Sequence, residues 1–314
     1  MKLWMTTGGS AVAVIVTAGL WFLSGPGSAV SPTVLSSLPA DAKRGELVFH
    51  VSGCASCHKP EDFDKNNADE NTVPPLSGGQ RFETQFGTFI APNITPDKET
   101  GIGNWSVSDF ATAMLKGVRP DGQHLYPAFP YTSYARMKLQ DIVDLKAYMD
   151  TLPAISRTNE NHELGFPFSI RRGLGLWKQL YLSNQPVINL VDPTPEQQRG
   201  QYLVEGPGHC GECHTPRNLA GAANPSRWLA GAANPDGDGT IPNITPHKSG
   251  IAKWETVDIT EYLSSGFTPD YDVVGGSMAE VVENTARLPD RDRKAIAAYL
   301  MAIPPVADKK SDKK

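Results

Sequence analysis

Gly53-Cys54-Ala55-Ser56-Cys57-His58 and Cys210-Gly211-Glu212-Cys213-His214 are the two stretches that decide how this chain is read. Each is a C-x-x-C-H run. Two thiols at that spacing reach the two vinyl groups along one edge of a porphyrin, and the histidine that follows falls under the iron. The sequence holds 4 cysteines, and both copies together use all of them. Cys54, Cys57, Cys210 and Cys213 are therefore the expected thioether positions, and His58 and His214 the expected proximal iron ligands. The expected cofactors are two covalently bound haem c.

Other uses of paired cysteines fit less well. A zinc site needs four ligands close together, and these pairs stand far apart in sequence. A redox dithiol needs a βαβ setting, and little strand pattern surrounds either pair. Neither alternative explains a histidine directly after both pairs.

Around the motifs the chain repeats itself. Arg44-Gly45-Glu46-Leu47-Val48-Phe49 precedes the first and Arg199-Gly200-Gln201-Tyr202-Leu203-Val204 the second. Each half then carries Pro-Asn-Ile-Thr-Pro, at Pro92–Pro96 and Pro242–Pro246. A tryptophan-bearing helical stretch follows (Trp105 to Gly117, Trp254 to Gly266), and each half closes on an amphipathic segment, Leu139–Leu152 and Pro289–Ile303. Gly45 and Gly200 let the opening helix of each half cross the closing one, with Phe49 beside Tyr148 and Val204 beside Tyr299. The expected fold is mainly α. Its domains are 31–152 and 191–305, joined by a packed connector, 153–190, in which Phe166, Phe168, Leu176, Trp177 and Leu180 are candidates for docking one domain on the other. Residues 306–314 read as a charged, disordered tail.

Composition narrows the function. With 29 basic and 34 acidic residues, net charge −5, there is no basic field for nucleic acid. Gly 29 and Pro 26 suit loop-rich domains built around a bulky apolar group. Residues 1–30 are a targeting segment. Lys2 precedes an apolar run ending at Trp21-Phe22-Leu23, and Trp4–Leu23 approaches the length that spans a bilayer. It reads as an uncleaved anchor, with a signal peptide cut after Ala29 as the alternative. Either places the chain on the periplasmic side of a bacterial inner membrane.

The halves differ at the sixth iron position. In the second, Met278 in Gly275-Gly276-Ser277-Met278-Ala279 is the expected ligand, in a glycine-rich loop ahead of the last helix. Gly266–Met278 aligns without gaps on Gly117–Phe129, so Phe129 stands where Met278 does, and phenylalanine cannot ligate iron. Met137 is the nearest replacement, although it matches Leu288 and packing alone also explains it. His124 and Met114 are weaker candidates, and a five-coordinate iron is the remaining option. Trp105 and Trp254 read as pocket or rim residues, and Arg217 as a propionate partner or an exposed arginine. His50, His162, His209 and His247 read as surface or supporting residues. No nucleophilic triad, P-loop or dinucleotide fingerprint is visible.

Together, Gly53–His58, Phe86-Gly87-Thr88-Phe89, Pro92–Pro96, Tyr126-Pro127-Ala128-Phe129-Pro130-Tyr131, Cys213-His214-Thr215-Pro216-Arg217-Asn218 and Gly276-Ser277-Met278 resemble the dihaem membrane-bound c-type cytochromes, in particular the cytochrome subunits of bacterial periplasmic dehydrogenases. The resemblance covers most of the chain after residue 40. It implies class I cytochrome c domains in tandem, His/Met ligation and electron transport in a respiratory chain rather than catalysis. The implied donor is a periplasmic or membrane dehydrogenase, and the implied acceptor a soluble cytochrome or terminal oxidase. Alcohol and gluconate dehydrogenase cytochrome subunits carry three haems and a methionine in the Pro-Ala-x-Pro-Tyr motif. Two haem motifs and Phe129 place this chain nearer a two-haem branch. The alternative is a dihaem enzyme, peroxidase-like or thiosulfate dehydrogenase-like, that uses an open first iron.

Overall fold

A computed structural model describes residues 19–63, 73–234 and 239–308. Most of the expected anchor, residues 1–18, and the tail beyond residue 308 lie outside the described residues. Among the described residues no helix is long and apolar enough to cross a membrane.

Each half opens and closes on helices that cross. In the first, Ala42–Val51 crosses Leu139–Met149; in the second, Pro195–Glu205 crosses Asp290–Ala302. The opening helices start where capping chemistry places them. The Asp41 carboxylate accepts from the Lys43 and Arg44 amides, and Thr194 forms a reciprocal capping box with Gln197 ahead of Pro195. At the crossings the glycines have no room for a side chain. A Cβ on Gly45 would overlap the Asp144 carbonyl oxygen and fall 2.9 Å from the Tyr148 Cβ; on Gly200 it would overlap the Ala295 carbonyl oxygen and fall 2.8 Å from the Tyr299 Cβ. The Phe49 and Tyr148 rings lie 5.2 Å apart, and Val204 and Tyr299 are fully buried. The arginine before each glycine clamps the closing helix through both carboxylate oxygens, Arg44 on Asp144 (2.7 and 3.0 Å) and Arg199 on Asp292 (3.0 and 2.8 Å).

Two apolar cores result. Phe49, Leu76, Ile102, Phe110, Ile142 and Leu145 build the first. Leu203, Leu229, Ile251, Ile259, Ile296 and Leu300 build the second, which also takes in Val51 from the end of the first opening helix. The tryptophan-bearing stretches become Val107–Lys116 and Thr256–Ser265, each stopped by a left-handed glycine, Gly117 and Gly266. The same bridge follows both, Val118 with His124 and Phe267 with Val273, and the Leu125 and Val274 amides return to the Gly117 and Gly266 carbonyls. That shared register sets Phe129 opposite Met278.

Four features differ from expectation. Met278 is the first residue of a nine-residue helix, Met278–Ala286, rather than part of a loop; the first half has only Tyr131–Tyr134 there. Short strands are present. Arg81–Thr84 pairs antiparallel with Gly87–Ile90, which pairs with Glu163–Leu164, and Ala232–Ala233 pairs with Thr240–Ile241. They are too short to leave a period in the sequence.

The connector docks through only some of the expected residues. Trp177 spans both halves, with its ring 6.4 Å from Tyr131 and its indole N–H donating to the Ala220 carbonyl at 2.9 Å. Phe166 and Leu180 instead face solvent, and Phe168 is only partly covered, by Phe86. The helix Gly173–Tyr181 turns Gly175 and Lys178 inward because Lys178 Nζ completes the open carbonyls of Lys116 and Gly117 at 2.7 and 2.6 Å. Finally, the start of the expected tail is pinned. The Val306 carbonyl accepts from Asn243 Nδ2 at 2.7 Å, and the Asp308 amide donates to Ser249 Oγ at 3.3 Å.

Candidate haem sites

Both C-x-x-C-H runs form single helical turns, Cys54–His58 and Gly211–His214. The first follows Gly53 in the left-handed conformation (φ 58°), and the second follows His209 at φ 38°. Gly211 lets the Trp228 ring lie against the second turn; a Cβ there would overlap the indole. Trp228 is buried, and its indole N–H donates to the Tyr299 hydroxyl at 3.2 Å.

The histidines are oriented alike. His58 Nδ1 lies 2.8 Å from the Pro92 carbonyl oxygen, and His214 Nδ1 lies 2.8 Å from that of Pro242. A carbonyl only accepts, so Nδ1 carries the proton and Nε2 keeps its lone pair for a metal. Burial lowers the pKa of both imidazoles, the carbonyl bond opposing it, which favours the neutral, ligating form. Burial also pushes the Cys54 and Cys210 thiols up to about 12. Among the described residues no three His, Cys, Asp or Glu converge as a metal site. The donor set therefore fits haem with a histidine ligand and does not fit a shared zinc.

The prolines belong to the repeated Pro-Asn-Ile-Thr-Pro motif, and the buried asparagine beside each fixes its carbonyl. Asn93 accepts from the Thr95 amide and hydroxyl (2.9 and 2.7 Å) and donates to the Ile155 carbonyl at 2.7 Å. Asn243 does the same with Thr245 (2.8 Å for both) and with the Val306 carbonyl at 2.7 Å. Each latch ties the chain after the closing helix to the histidine side of its pocket.

On the sixth side, Met278 is half-buried against the second core. Met137 and Met114 are buried in the first core, which Cys54, Ala55, Trp105 and Phe129 also line. Phe129 lies 5.5 Å from the Tyr134 ring. His124 is withdrawn as a candidate because both ring nitrogens are engaged. Nε2 donates to the Ser24 carbonyl at 2.9 Å, and Nδ1 accepts from Lys178 at 3.1 Å. Arg217 is held within the second motif, by the Glu212 carboxylate at 2.6 Å and the Gly221 carbonyl at 2.8 Å, rather than reaching out for a propionate. Trp105 and Trp254 are half-buried at their cores, and His50 is buried, on the supporting side of its expected roles.

The residue inside each motif touches the opposite half. Ser56 Oγ accepts from Asn284 at 3.0 Å, while Glu212 accepts from the Thr132 and Ser133 hydroxyls at 2.7 and 2.8 Å. Lys59 pairs with Glu280 at 2.5 Å, and Tyr134 and His209 both reach the Ser52 carbonyl, at 3.1 and 3.2 Å. Cys57 and Cys213 lie within electrostatic reach of each other. Nothing in the sequence signals this junction, because the two interior motif positions follow no residue pattern.

Residues 42–153 match the cytochrome c family model. A "Diheme cytochrome c-type" protein of Cereibacter sphaeroides is 51% identical over 306 residues, 98% of this chain and 100% of that protein. The chain belongs to the dihaem c-type cytochromes. It binds two haem c covalently and transfers electrons, and the haems supply that redox chemistry. The cytochrome is also similar to the cytochrome c subunit of a quinone alcohol dehydrogenase of Gluconobacter oxydans, at 37% over 288 residues, 86% of this chain and 56% of that protein. A fructose dehydrogenase cytochrome subunit of Gluconobacter japonicus is 38% identical over 281 residues, 88% of this chain and 55% of that protein. The cytochrome thus spans about half the length of those two subunits.

Proposed function

We propose that this cytochrome relays electrons from a periplasmic or membrane dehydrogenase to a soluble cytochrome or terminal oxidase. The carrying observation is the junction between the halves. The interior residue of each haem motif, Ser56 or Glu212, is hydrogen-bonded by the opposite half, so the two motifs face one another. Relatives named as dehydrogenase cytochrome subunits support the donor class. In this reading 31–152 and 191–305 are two class I cytochrome c domains, and 153–190 connects them. Residues 1–30 hold the protein at the periplasmic face of the inner membrane, or export it if cleaved.

His58 and His214 serve as proximal ligands, Met278 as the sixth ligand of the second haem and Met137 as that of the first. A methionine sulfur held by a pocket built for it raises potential. Met278 begins its own helix, whereas Met137 fills a packing position matched by Leu288; a first haem without a sulfur ligand has the lower potential, and electrons then run from the Cys54/Cys57 side to the Cys210/Cys213 side.

Anaerobic mixing of the oxidised holoprotein with a substrate-reduced quinone alcohol dehydrogenase stripped of its own cytochrome subunit tests the donor class. Reduction of both haems is expected, and absence of reduction on the enzyme's turnover time overturns it.

A further inference from the structure

The connector carries large apolar side chains that neither half covers. Phe166 is 84% exposed, Ile170 54% and Phe168 45%. They belong to a chain of turns from Gly165 to Gly173, closed by bonds from the Ser169 amide to Gly165, the Ile170 amide to Pro167 and the Gly173 amide to Ile170. The stretch is fixed from behind. The Phe168 carbonyl accepts from the Tyr126 hydroxyl at 2.8 Å, and its ring meets Phe86 edge-on at 4.9 Å. Moving such side chains out of water is favourable, so a face held open this way has an occupant to gain.

The end of the apolar N-terminal run docks on the same stretch. The Arg172 guanidinium lies over the Trp21 ring at 3.8 Å, and it donates to the Trp21 carbonyl at 2.7 Å and to Ser24 Oγ at 3.1 Å. Gly175 lets the Ser24 backbone close in, since a Cβ there would overlap the Ser24 carbonyl. His124 Nε2 donates to that carbonyl as well. Trp21 and Phe22, 65% and 84% exposed, therefore emerge beside the connector turns. From Leu3 to Leu23 the sequence has no charged residue.

We propose that Trp21, Phe22, Phe166, Phe168 and Ile170 form one face that lies in the headgroup–acyl boundary of a lipid bilayer. The cytochrome then rests on the membrane through two elements instead of hanging from one tether. This rests on the anchor reading of residues 1–30. Lipid is the occupant because the face is continuous with the segment read as entering the bilayer, and Arg172 binds the two together. An exposed aromatic side chain backed by an arginine, here Trp21 under Arg172, is characteristic of a membrane interface. Such a rest fixes which side of the protein faces soluble partners.

The test uses full-length holoprotein in phosphatidylcholine–phosphatidylglycerol vesicles. The native sulfurs are taken up in thioethers, so Phe166→Cys and Ile170→Cys each accept a single nitroxide label. Val257→Cys, at a 64% exposed position of the second half, is the reference. The ratio of collisions with oxygen to collisions with a water-soluble nickel chelate is expected to be about tenfold higher at both connector positions than at the reference. Equal ratios in vesicle-bound protein overturn the proposal while leaving the anchor reading intact, and assign the face to water or to a protein partner. Failure of the unlabelled protein to float with the vesicles overturns the anchor reading and this proposal together.

Discussion

Gly200 packs against Ala295 with the backbones in contact, and a Cβ on the glycine would occupy the space of the Ala295 carbonyl oxygen. Gly45 stands in the same relation to Asp144. Both crossings hold the helix that leads into a haem motif against the helix that closes its half. Gly200→Ala must push the helices apart, and overpacking of this kind costs about 1–3 kcal/mol. Denaturant unfolding followed by circular dichroism should show that loss. An unchanged midpoint would mean that the helices cross elsewhere.

The asparagine latch yields a second expectation. Asn243 satisfies the Thr245 amide and hydroxyl and the Val306 carbonyl from a buried position. Asn243→Ala leaves the Thr245 amide unpaired and the Val306 carbonyl with only the longer Thr245 hydroxyl bond (3.3 Å), at about 1–3 kcal/mol. It should also free residues 306–308, read as faster amide exchange there. Exchange as slow as in the parent protein would remove the latch.

Axial ligation can be read by spectroscopy. Met278→Ala should remove the near-infrared sulfur-to-iron band of one haem and leave the other. Met137→Leu, which installs the residue found at the matching Leu288, should remove the band of the remaining haem. A band that survives Met137→Leu assigns Met137 to packing alone.

His162 supplies a pH dependence away from the haems. Its Nδ1 accepts from the Ile90 amide at 3.1 Å, and its ring packs against Phe89 and Tyr126. Burial, helped by the Arg171 charge, lowers its pKa from 6.5 to about 4. Between those values the unfolded chain binds the proton and the folded one does not. The contribution to stability is therefore complete above about pH 6.5 and is lost as pH falls toward 4. At this half-buried site it amounts to on the order of 1 kcal/mol after solvent screening. Unfolding free energies measured across that range should flatten in His162→Asn; a parallel curve would contradict the assignment.

The sequence exposed what repeats. Paired cysteines, the crossing glycines, Tyr148 and Tyr299, and the Pro-Asn-Ile-Thr-Pro motif each occur twice at matching places, and chance does not duplicate such an order. It concealed what one half does alone. Lys178 carries no signal in the sequence, yet it is buried because two helix-end carbonyls and His124 converge on it. Phe166 and Leu180 read as docking residues beside Phe168, Leu176 and Trp177, and only the inward turn of Gly175 and Lys178 shows why those two stay outside. The register of Met278 is legible in the sequence and its helix is not, since Gly275-Gly276-Ser277 reads as loop directly up to the residue where the helix begins.

The relay from the first haem to the second is tested most directly by a potentiometric titration of the full-length protein, followed by near-infrared magnetic circular dichroism. The account predicts two one-electron steps, the higher belonging to the haem whose sulfur band disappears in Met278→Ala. Finding that haem at the lower potential would contradict it.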